Sequence, residues 1–342
     1  MKISSDDAVK RMEEVVVLHK AENIQSDNVI LLNGGEQSEF TFNSLPEYSL
    51  NIEEGTKIKY GEETDFSFDS QEIEDFSSES IDGDVSINGI GYPHILNSQL
   101  YLQKLGFYSG SIDGNISSSM RESLRNFQLV YGMGQTGSLT QNVYDKIVQV
   151  YNDYTTVYNS NGLTNIASNS QFAFDAIQKK NFALIWTFLK NSMGLNTHQI
   201  AGVMGNIHAE SAFSADNARD AIYPGKHNPE YVYACNDEVA YGLLQWCDST
   251  RKTGLLNMSN SMRIDASDIN AQLAYFRKEM TETIAGLANY PSAWNEIKAA
   301  TSYSSACDIF LEKIESPRNP NYSQRRAYSA IIYNAMISEM GG

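Results

Sequence analysis

Hydrophobic and polar positions divide the chain into three parts with different patterns. Before residue 90, a short helix is predicted at 3–20, where the chain carries an apolar run. From residue 29 onward, short apolar or alternating stretches are broken by Gly and Asn, which predicts strands at 29–32, 40–42 and 57–60. Between residues 92 and 150, leucines at helical spacing alternate with Gly-containing turns, which predicts a small three-helix bundle. From residue 172 to 340, longer apolar stripes predict a mainly α-helical domain, with helices at 172–192, 197–209, 266–283, 292–300, 304–315 and 323–339.

Domain boundaries follow from these patterns and from the polar stretches between them. Residues 1–60 are expected to form an N-terminal attachment region with short strands. Residues 61–90 are expected to be an acidic linker, with a docking segment for a partner as the alternative. A small helical domain is expected over 91–152, a polar connector over 153–171 and a second helical domain over 172–342.

Charge is distributed unevenly between these parts. The 342-residue chain has a formal net charge of −17, of which −15 falls on residues 1–90 and −2 on residues 91–342. Because no basic patch is present to neutralise phosphates, we do not expect nucleic acid as a partner. The acidity therefore belongs to the attachment region and describes the two helical domains poorly.

Targeting and redox features are sparse. The first residues lack the basic and apolar stretches of a secretory signal, and the longest apolar runs are too short to span a bilayer, so we expect no membrane insertion. The three cysteines are Cys235, Cys247 and Cys307, a number and spacing that do not make a disulfide framework. Free thiols are expected, with one bridge between Cys235 and Cys247 as the alternative.

The turn-rich part of the chain carries a first resemblance. It resembles the three-helix, type 1 peptidoglycan-binding domain over about 55 residues, on the string Leu102-Gln103-x-Leu105-Gly106-Phe107-Tyr108-x-Gly110-x-Ile112-Asp113-Gly114 followed by Phe127-Gln128. The sequence departs from the family at Asn115–Ser119, which is Ser-rich, and at Gln135-Thr136-Gly137, where the family has a second Asp-Gly. The resemblance implies peptidoglycan binding; the alternative is a small structural domain.

The helix predicted at 197–209 carries a carboxyl group at its end. Asn196 is a plausible N-cap, with Gln199 three residues later, and an apolar stripe follows at helical spacing. Glu210 lies at the edge of this stripe, in the last turn. The helix macrodipole and apolar neighbours both disfavour a charged carboxylate there, as a general acid requires. On position alone, however, such a glutamate is most often solvated surface.

Three ordered strings carry a second resemblance, over residues 180–335. The first string is Gly205-Asn206-Ile207-His208-Ala209-Glu210-Ser211-x-Phe213, the second is Tyr241-Gly242-Leu243-Leu244-Gln245-Trp246 with Arg251, and the third is Phe310-Leu311-x-x-Ile314-Glu315-x-Pro317 with Arg325-Arg326-Ala327-Tyr328. Together they resemble phage tail lysozymes, which are related in fold to goose-type lysozymes and lytic transglycosylases. The resemblance implies a lysozyme-like fold with Glu210 as the catalytic acid. It also implies a substrate groove, whose candidate binding residues are Ser211, Tyr241, Gln245 and Trp246.

Glycoside hydrolysis usually needs a second carboxylate, and the sequence leaves its identity open. Asp237 or Glu238 is the first expectation because both immediately precede the groove string. Asp216 and Asp220 are expected instead to hold the loop before that string by local hydrogen bonds to the backbone. No metal and no other cofactor is expected.

The expected function is therefore peptidoglycan hydrolysis on the glycan strand, by a muramidase first and by a lytic transglycosylase second. Peptidoglycan is the expected partner, and residues 1–90 are expected to contact phage or tailocin tail proteins. The protein would then act from a virion or tail, or after release from the cytoplasm, as a lysin.

Two alternatives remain open at this point. The first is a metal-dependent amidase or endopeptidase of the cell wall, although the five histidines are scattered and no H-E-x-x-H is present. His208-Ala209-Glu210 also matches half of a zinc deaminase signature, but the Pro-Cys-x-x-Cys half is missing. The second alternative is a non-catalytic tail protein that binds the wall through a degenerate lysozyme fold.

Overall fold

A computed structural model of the chain describes residues 41–42, 50–51, 57–60, 64–67, 90–219, 226–317 and 320–340. The helix predicted at 3–20 and the strand predicted at 29–32 lie outside these residues. Most of the predicted acidic linker lies outside them as well.

The described N-terminal residues form two short antiparallel pairs. Strand β1 (Thr41–Phe42) pairs with β2 (Leu50–Asn51), and β3 (Lys57–Tyr60) pairs with β4 (Thr64–Ser67). The short strands predicted at 40–42 and 57–60 are confirmed at these positions. Strand β4 lies in the stretch that the density of acidic residues predicts to be a linker. Thr64–Ser67 forms a strand there because its alternating residues pair with β3.

The rest of the described chain is mainly helical, as predicted. Its eleven α-helices are α1 (Tyr92–Lys104), α2 (Ser118–Val130), α3 (Gln141–Tyr158), α4 (Asn161–Ser168), α5 (Ala176–Asn191), α6 (Thr197–Ser211), α7 (Ser249–Met262), α8 (Ile269–Thr281), α9 (Tyr290–Ala299), α10 (Tyr303–Phe310) and α11 (Tyr322–Met340). A π-helical turn, Leu311–Glu315, continues α10, and β5 (Ala218–Arg219) pairs antiparallel with β6 (Ala240–Tyr241). Within the described residues, no helix has the length and apolar character needed to cross a membrane.

The chain divides into two compact units, each made of several segments. Their ranges are Met1–Lys104, Tyr108–Arg121 and Gly137–Val148 for the first unit, and Leu105–Phe107, Glu122–Thr136 and Gln149–Gly342 for the second. The domain boundaries expected from the sequence stay a prediction.

In the first unit, a buried glutamine organises the predicted Asp-Gly turn. The Gln99 side chain donates from Nε2 to Asp113 Oδ1 and to the Asn115 carbonyl, both at 2.9 Å. Its Oε1 accepts from the backbone N–H groups of Asp113 and Gly114, at 3.0 and 2.9 Å. Gly114 has a φ of 72°, a conformation that glycine adopts without steric cost. Local turn chemistry and one long-range side chain therefore define this loop together.

Two helices of the second unit were not expected from the pattern. Helix α7 escapes prediction because its buried side includes the charged residue Lys252 among Leu255, Met258 and Met262, which interrupts the apolar stripe. Helix α4 and the end of α3 occupy most of the predicted polar connector. Gly162 of α4 lies so close to the backbone of α11 that a Cβ there would meet the Ala335 carbonyl oxygen.

Helix α6 lies at the centre of the second unit, packed against α10 and α11. The predicted cap is confirmed: Asn196 Oδ1 accepts from Gln199 N, and Gln199 Oε1 accepts from Asn196 N, each at 3.1 Å. A Cβ on Gly205 would collide with Ser329 and with the backbone of Arg325 on α11. The glycine therefore lets α11 approach closely enough to place the Arg325 side chain beside the end of α6.

Candidate active site

The chain leaves α6 through two residues in the left-handed region. Ala212 has a φ of 51° and Phe213 a φ of 65°, conformations that cost non-glycine residues free energy and need support from their surroundings. Helix α5 supplies that support. Gln178 Nε2 donates to the Ala212 carbonyl and Asn181 Nδ2 to the Phe213 carbonyl, both at 2.8 Å. The direction of the chain just after Glu210 is thus held by tertiary hydrogen bonds.

Glu210 occupies the last turn of α6, and its side chain is 11% exposed. Its Oε1 accepts a hydrogen bond from the Arg325 guanidinium on α11, and Arg219 Nη1 on β5 lies 3.8 Å from its Oε2. Arg325 also donates from Nη1 to Asn206 Oδ1 at 3.2 Å, which orients the guanidinium. A negative charge on Glu210 is therefore compensated by two arginines, while the carboxyl group still reaches the surface.

A tight turn at residues 241–246 closes against the end of α6. The backbone groups of Tyr241 and Trp246 exchange hydrogen bonds of 3.1 and 2.9 Å. Ser211 Oγ donates to the Leu243 carbonyl at 3.0 Å, which connects the helix end to this turn. The turn follows β6, which pairs with β5, the strand that carries Arg219. The structure thus brings the first two predicted strings together around Glu210.

The Gln245 side chain is turned into the protein. Its Nε2 donates to the backbone and side-chain oxygens of Asn217 and to the Gly242 carbonyl, over 3.0 to 3.2 Å. Its Oε1 is buried and has no hydrogen-bond partner. Gln245 therefore links the turn to the segment that precedes β5.

Trp246 joins a buried charge pair. Its indole N–H donates to Glu279 Oε2 at 3.0 Å, and Arg251 binds the same carboxylate at 2.7 Å from Nε and at 3.0 Å from Nη2. Burial opposes the charge on Arg251, but the adjacent Glu279 raises its pKa above the ordinary value. Arg251 therefore forms its ion pair with Glu279, and Asp248 caps the N-terminus of α7.

The four residues predicted to bind the glycan are almost completely buried. Ser211 is 1% exposed, Tyr241 4%, Gln245 7% and Trp246 0%. Since each of them holds a neighbouring segment in place, they build the frame around Glu210 in this structure. Their contact with a substrate stays a prediction.

Asp237, the first of the two predicted second carboxylates, is engaged by a buried lysine. The Lys252 side chain has no exposed surface and forms an ion pair with Asp237. Lys252 Nζ also lies 2.9 Å from both Tyr231 Oη and the Val239 carbonyl, and Tyr231 Oη donates to Asp237 Oδ2 at 2.5 Å. Partial burial tends to raise the pKa of Asp237, but these partners hold that pKa below its usual value. Glu238, the second candidate, is exposed and has a φ of 62°.

Asp216 holds the loop before β6 through a histidine. His227 Nδ1 lies 2.7 Å from Asp216 Oδ1, and its Nε2 lies 2.9 Å from Asp175 Oδ2 at the N-cap of α5. The sequence predicts that Asp216 holds this loop by local backbone hydrogen bonds, whereas in the structure its side chain pairs with His227, eleven residues later. Asp220, predicted to act alongside it, lies outside the described residues.

Sequence reasoning missed one carboxyl group in the second unit. Glu315 ends the π-helical turn, and its Oε1 is buried without a hydrogen-bond partner. Burial, followed by the nearby negative charge of Glu210, raises the pKa of Glu315 above its usual value. The signal was in the third string, where Glu315 follows the buried residues Leu311 and Ile314. In the sequence that string indicated only the C-terminal helices.

A cleft of about 620 Å³ lies along one side of α7. Tyr275, whose ring centroid is 5.6 Å from that of Trp246, lines the cleft together with Lys278 and the polar residues Ser249, Thr250, Thr253, Asn257 and Ser261. Its lining does not include Glu210, so the cleft and the carboxyl group are separate features.

Metal-binding side chains do not cluster in the described part of the chain: it holds no group of three or more His, Cys, Asp or Glu residues suited to a metal ion. His208 is packed in an aromatic cluster, with its ring 4.1 Å from that of Phe172. Burial lowers the pKa of His208 to about 4, so this histidine is neutral at physiological pH. The three cysteines are free thiols.

Comparison with known proteins gives two family matches. Residues 180–336 match the model of the phage tail lysozyme family, and residues 93–147 match the model of a peptidoglycan binding domain. Both resemblances seen in the sequence are confirmed, in the predicted order. The chain is also 43% identical, over 58 residues, to the spore cortex-lytic enzyme of Oceanobacillus iheyensis, a stretch that covers 17% of this chain and 21% of that enzyme. The chain thus spans about a fifth of the length of this relative.

Proposed function

We propose that the chain is a cell-wall lytic enzyme that hydrolyses the glycan strands of peptidoglycan. The peptidoglycan-binding domain at 93–147 would hold the wall, and the phage tail lysozyme domain at 180–336 would cut it. The observation that carries this proposal is the placement of Glu210, a partly exposed carboxyl group framed by the strings that matched the family. The curated relative, described as a cortex-lytic enzyme, supports the same general activity.

Cleavage of a glycosidic bond needs a proton on the leaving oxygen. In the proposed reaction Glu210 supplies this proton, the bond to the anomeric carbon breaks, and a water molecule adds to that carbon. The water releases one proton, which restores the acid. Asp237 is engaged by Lys252, whereas Glu238 is exposed, so the proposal gives Glu238 precedence as the carboxylate that activates the water.

The finer features of the proposal are a muramidase specificity and attachment to a phage or tailocin tail. The family description supports the tail attachment, and the acidic residues 1–90 are the segment that we propose for contact with tail proteins. Delivery on a virion or tail is one route in this proposal, and release from the cytoplasm is the other.

The direct test is the variant Glu210→Gln, which keeps the size of the side chain but cannot donate an acidic proton. We expect its release of soluble muropeptides from purified sacculi to fall by about 10²- to 10⁴-fold, the usual contribution of a general acid. Its binding to sacculi should be unchanged. Glu230→Gln, at an exposed position, is the matched control and should keep full activity. Near-normal lysis by Glu210→Gln would refute the assignment.

Mass spectrometry of the digested sacculi separates the remaining functions. New reducing N-acetylmuramic acid ends indicate a muramidase, 1,6-anhydro ends a lytic transglycosylase, and new reducing N-acetylglucosamine ends a glucosaminidase. Cut stem peptides on intact glycan, lost on addition of a chelator, would show the metal-dependent amidase or endopeptidase instead. Binding without any cleavage by the wild-type protein would show a non-catalytic tail component.

A further inference from the structure

Strand β5 holds Arg219 beside the end of α6. The strand pairs with β6, and Arg219 lies opposite Ala240. The backbone N–H of Ala218 donates to Asn228 Oδ1 at 2.9 Å. These two contacts fix the backbone from which the Arg219 side chain extends towards Glu210.

The two arginines at Glu210 differ in how firmly they are held. The Arg325 side chain is 10% exposed, and it donates hydrogen bonds to Glu210 and to Asn206 Oδ1. The Arg219 side chain is 61% exposed, its Nη1 lies 3.8 Å from Glu210 Oε2, and its Nη2 donates to the Ala209 carbonyl at 3.4 Å. The first distance is too long for a hydrogen bond, and an exposed ion pair of this kind contributes little stability. The Arg219 guanidinium, with its five N–H donors, is therefore accessible from solvent at the edge of the candidate site.

The proton that Glu210 needs as an acid changes the balance of charges. In the proposed reaction Glu210 is neutral before it donates, so it then compensates neither guanidinium. Arg325 keeps the Asn206 side-chain oxygen as an acceptor, whereas Arg219 keeps only the Ala209 carbonyl among the described residues. Arg219 is therefore the point at which the reactive form of the site attracts an anion. A guanidinium binds a carboxylate through two parallel hydrogen bonds, which gives this recognition a defined geometry.

Peptidoglycan carries such an anion next to its glycan strand. The hydroxyl and acetamido groups of the sugars are uncharged at neutral pH, whereas the stem peptides carry ionised carboxylates. We propose that Arg219 is a specificity-determining residue that binds a stem-peptide carboxylate, so that the site prefers glycan strands that bear peptides. This proposal rests on the proposed function, because it names the part of the substrate that the same site recognises.

A carboxylate bound at Arg219 also acts on the candidate acid. It places a negative charge near Glu210, and a nearby like charge favours the protonated form of a carboxyl group. Substrate binding and proton donation therefore support each other on a substrate that carries the anion. A neutral substrate lacks both effects.

Two forms of one substrate test the proposal. Soluble glycan strands with uncross-linked stem peptides are compared with the same strands after their carboxylates have been converted to amides. We expect the wild-type kcat/KM to be about tenfold to a hundredfold higher on the carboxylate form, the usual effect of a hydrogen bond to a charged group. In Arg219→Gln this preference should fall by about tenfold or more, because kcat/KM falls on the carboxylate form.

Further variants separate recognition of the carboxylate from other effects. Arg219→Lys keeps the positive charge without the planar fork and should retain only part of the preference. Arg263→Gln, at the C-cap of α7, removes an arginine whose side chain is 76% exposed, and it is the matched control that should keep the wild-type preference. An effect of Arg219 on Glu210 alone would change the cleavage of both substrate forms equally. The peptidoglycan-binding domain is the same in every variant, so its contribution to the preference cancels.

The two proposals fail in different ways. A wild-type protein that cleaves neither substrate form would overturn the proposed function, and the role of Arg219 with it. An active wild-type protein without a preference for the carboxylate form would overturn only the role of Arg219, as would an Arg219→Gln protein that keeps the wild-type preference. Because the Arg219 side chain is exposed, we expect Arg219→Gln to fold with an unchanged urea midpoint.

Discussion

The buried ion pair between Lys252 and Asp237 leads to a quantitative prediction about stability. Lys252 has no exposed surface, whereas the Asp237 side chain is 27% exposed. In Asp237→Asn the lysine would lose its counter-charge and keep only two neutral oxygen partners, Tyr231 Oη and the Val239 carbonyl. Removing one partner of a buried pair costs about 3–5 kcal/mol. Because Asp237 is partly exposed, we expect the lower limit, a loss of about 3 kcal/mol in the free energy of unfolding.

Urea unfolding followed by tryptophan fluorescence measures this loss selectively. Trp186, Trp246 and Trp294 are the only tryptophans of the chain, and all of them lie in the C-terminal helical domain. The control is Glu238→Gln, an exposed neighbouring carboxyl group whose replacement should change stability by less than about 0.5 kcal/mol.

The pH dependence gives a second check on the same pair. The pKa of Asp237 is lowered in the folded protein, so its stabilisation is complete above the unfolded value of about 3.9 and is lost as pH falls through the folded value. The difference between wild type and Asp237→Asn should therefore be constant from pH 5 to 7 and should shrink below about pH 4.

Activity measurements then separate a structural from a catalytic role of Asp237. If the carboxylate only holds Lys252, the folded fraction of Asp237→Asn should cleave glycan at close to the wild-type rate. A stable Asp237→Asn protein with kcat reduced by more than about 10²-fold would instead identify Asp237 as the second carboxylate. A loss of less than about 1 kcal/mol in stability would refute the reasoning about the buried lysine.

Two further predictions concern the frame of the site. Trp246→Phe removes the indole donor to the buried carboxylate of Glu279 and should lower stability by about 2 kcal/mol, measured by near-ultraviolet circular dichroism in urea; an unchanged midpoint would contradict this. For His227, burial opposes the positive charge, but Asp216 and Asp175 raise its pKa. The stabilisation by charged His227 is complete below the pKa of the unfolded state, about 6.5, and is lost as pH rises through the pKa of the folded state. The urea midpoints of wild type and His227→Gln should therefore converge at alkaline pH. A difference between the midpoints that widens above pH 7 would contradict this.

Local features of the site could be predicted from the sequence because neighbouring residues determine them. The cap of α6 needs only Asn196 and Gln199, three residues apart, and the position of Glu210 in the last turn follows from the spacing of the apolar stripe. The strings at residues 205–213 and 241–246 likewise identified the two segments that meet around Glu210. The helix α7 could not be predicted in this way, because its buried lysine is stabilised by Asp237, Tyr231 and Val239 on another segment.

Tertiary structure alone decided the electrostatics of the site. Arg325 follows Glu210 by 115 residues, and only the close approach of α11 at Gly205 places the two side chains together. Trp246 is likewise withdrawn from the surface by a distant segment, because its indole N–H donates to Glu279 on α8. Sequence spacing specifies which face of a helix a side chain occupies, but burial and charge compensation depend on elements that are distant along the chain. For this protein the sequence by itself determined the domain types and the candidate acid, and the fold determined which charges surround that acid.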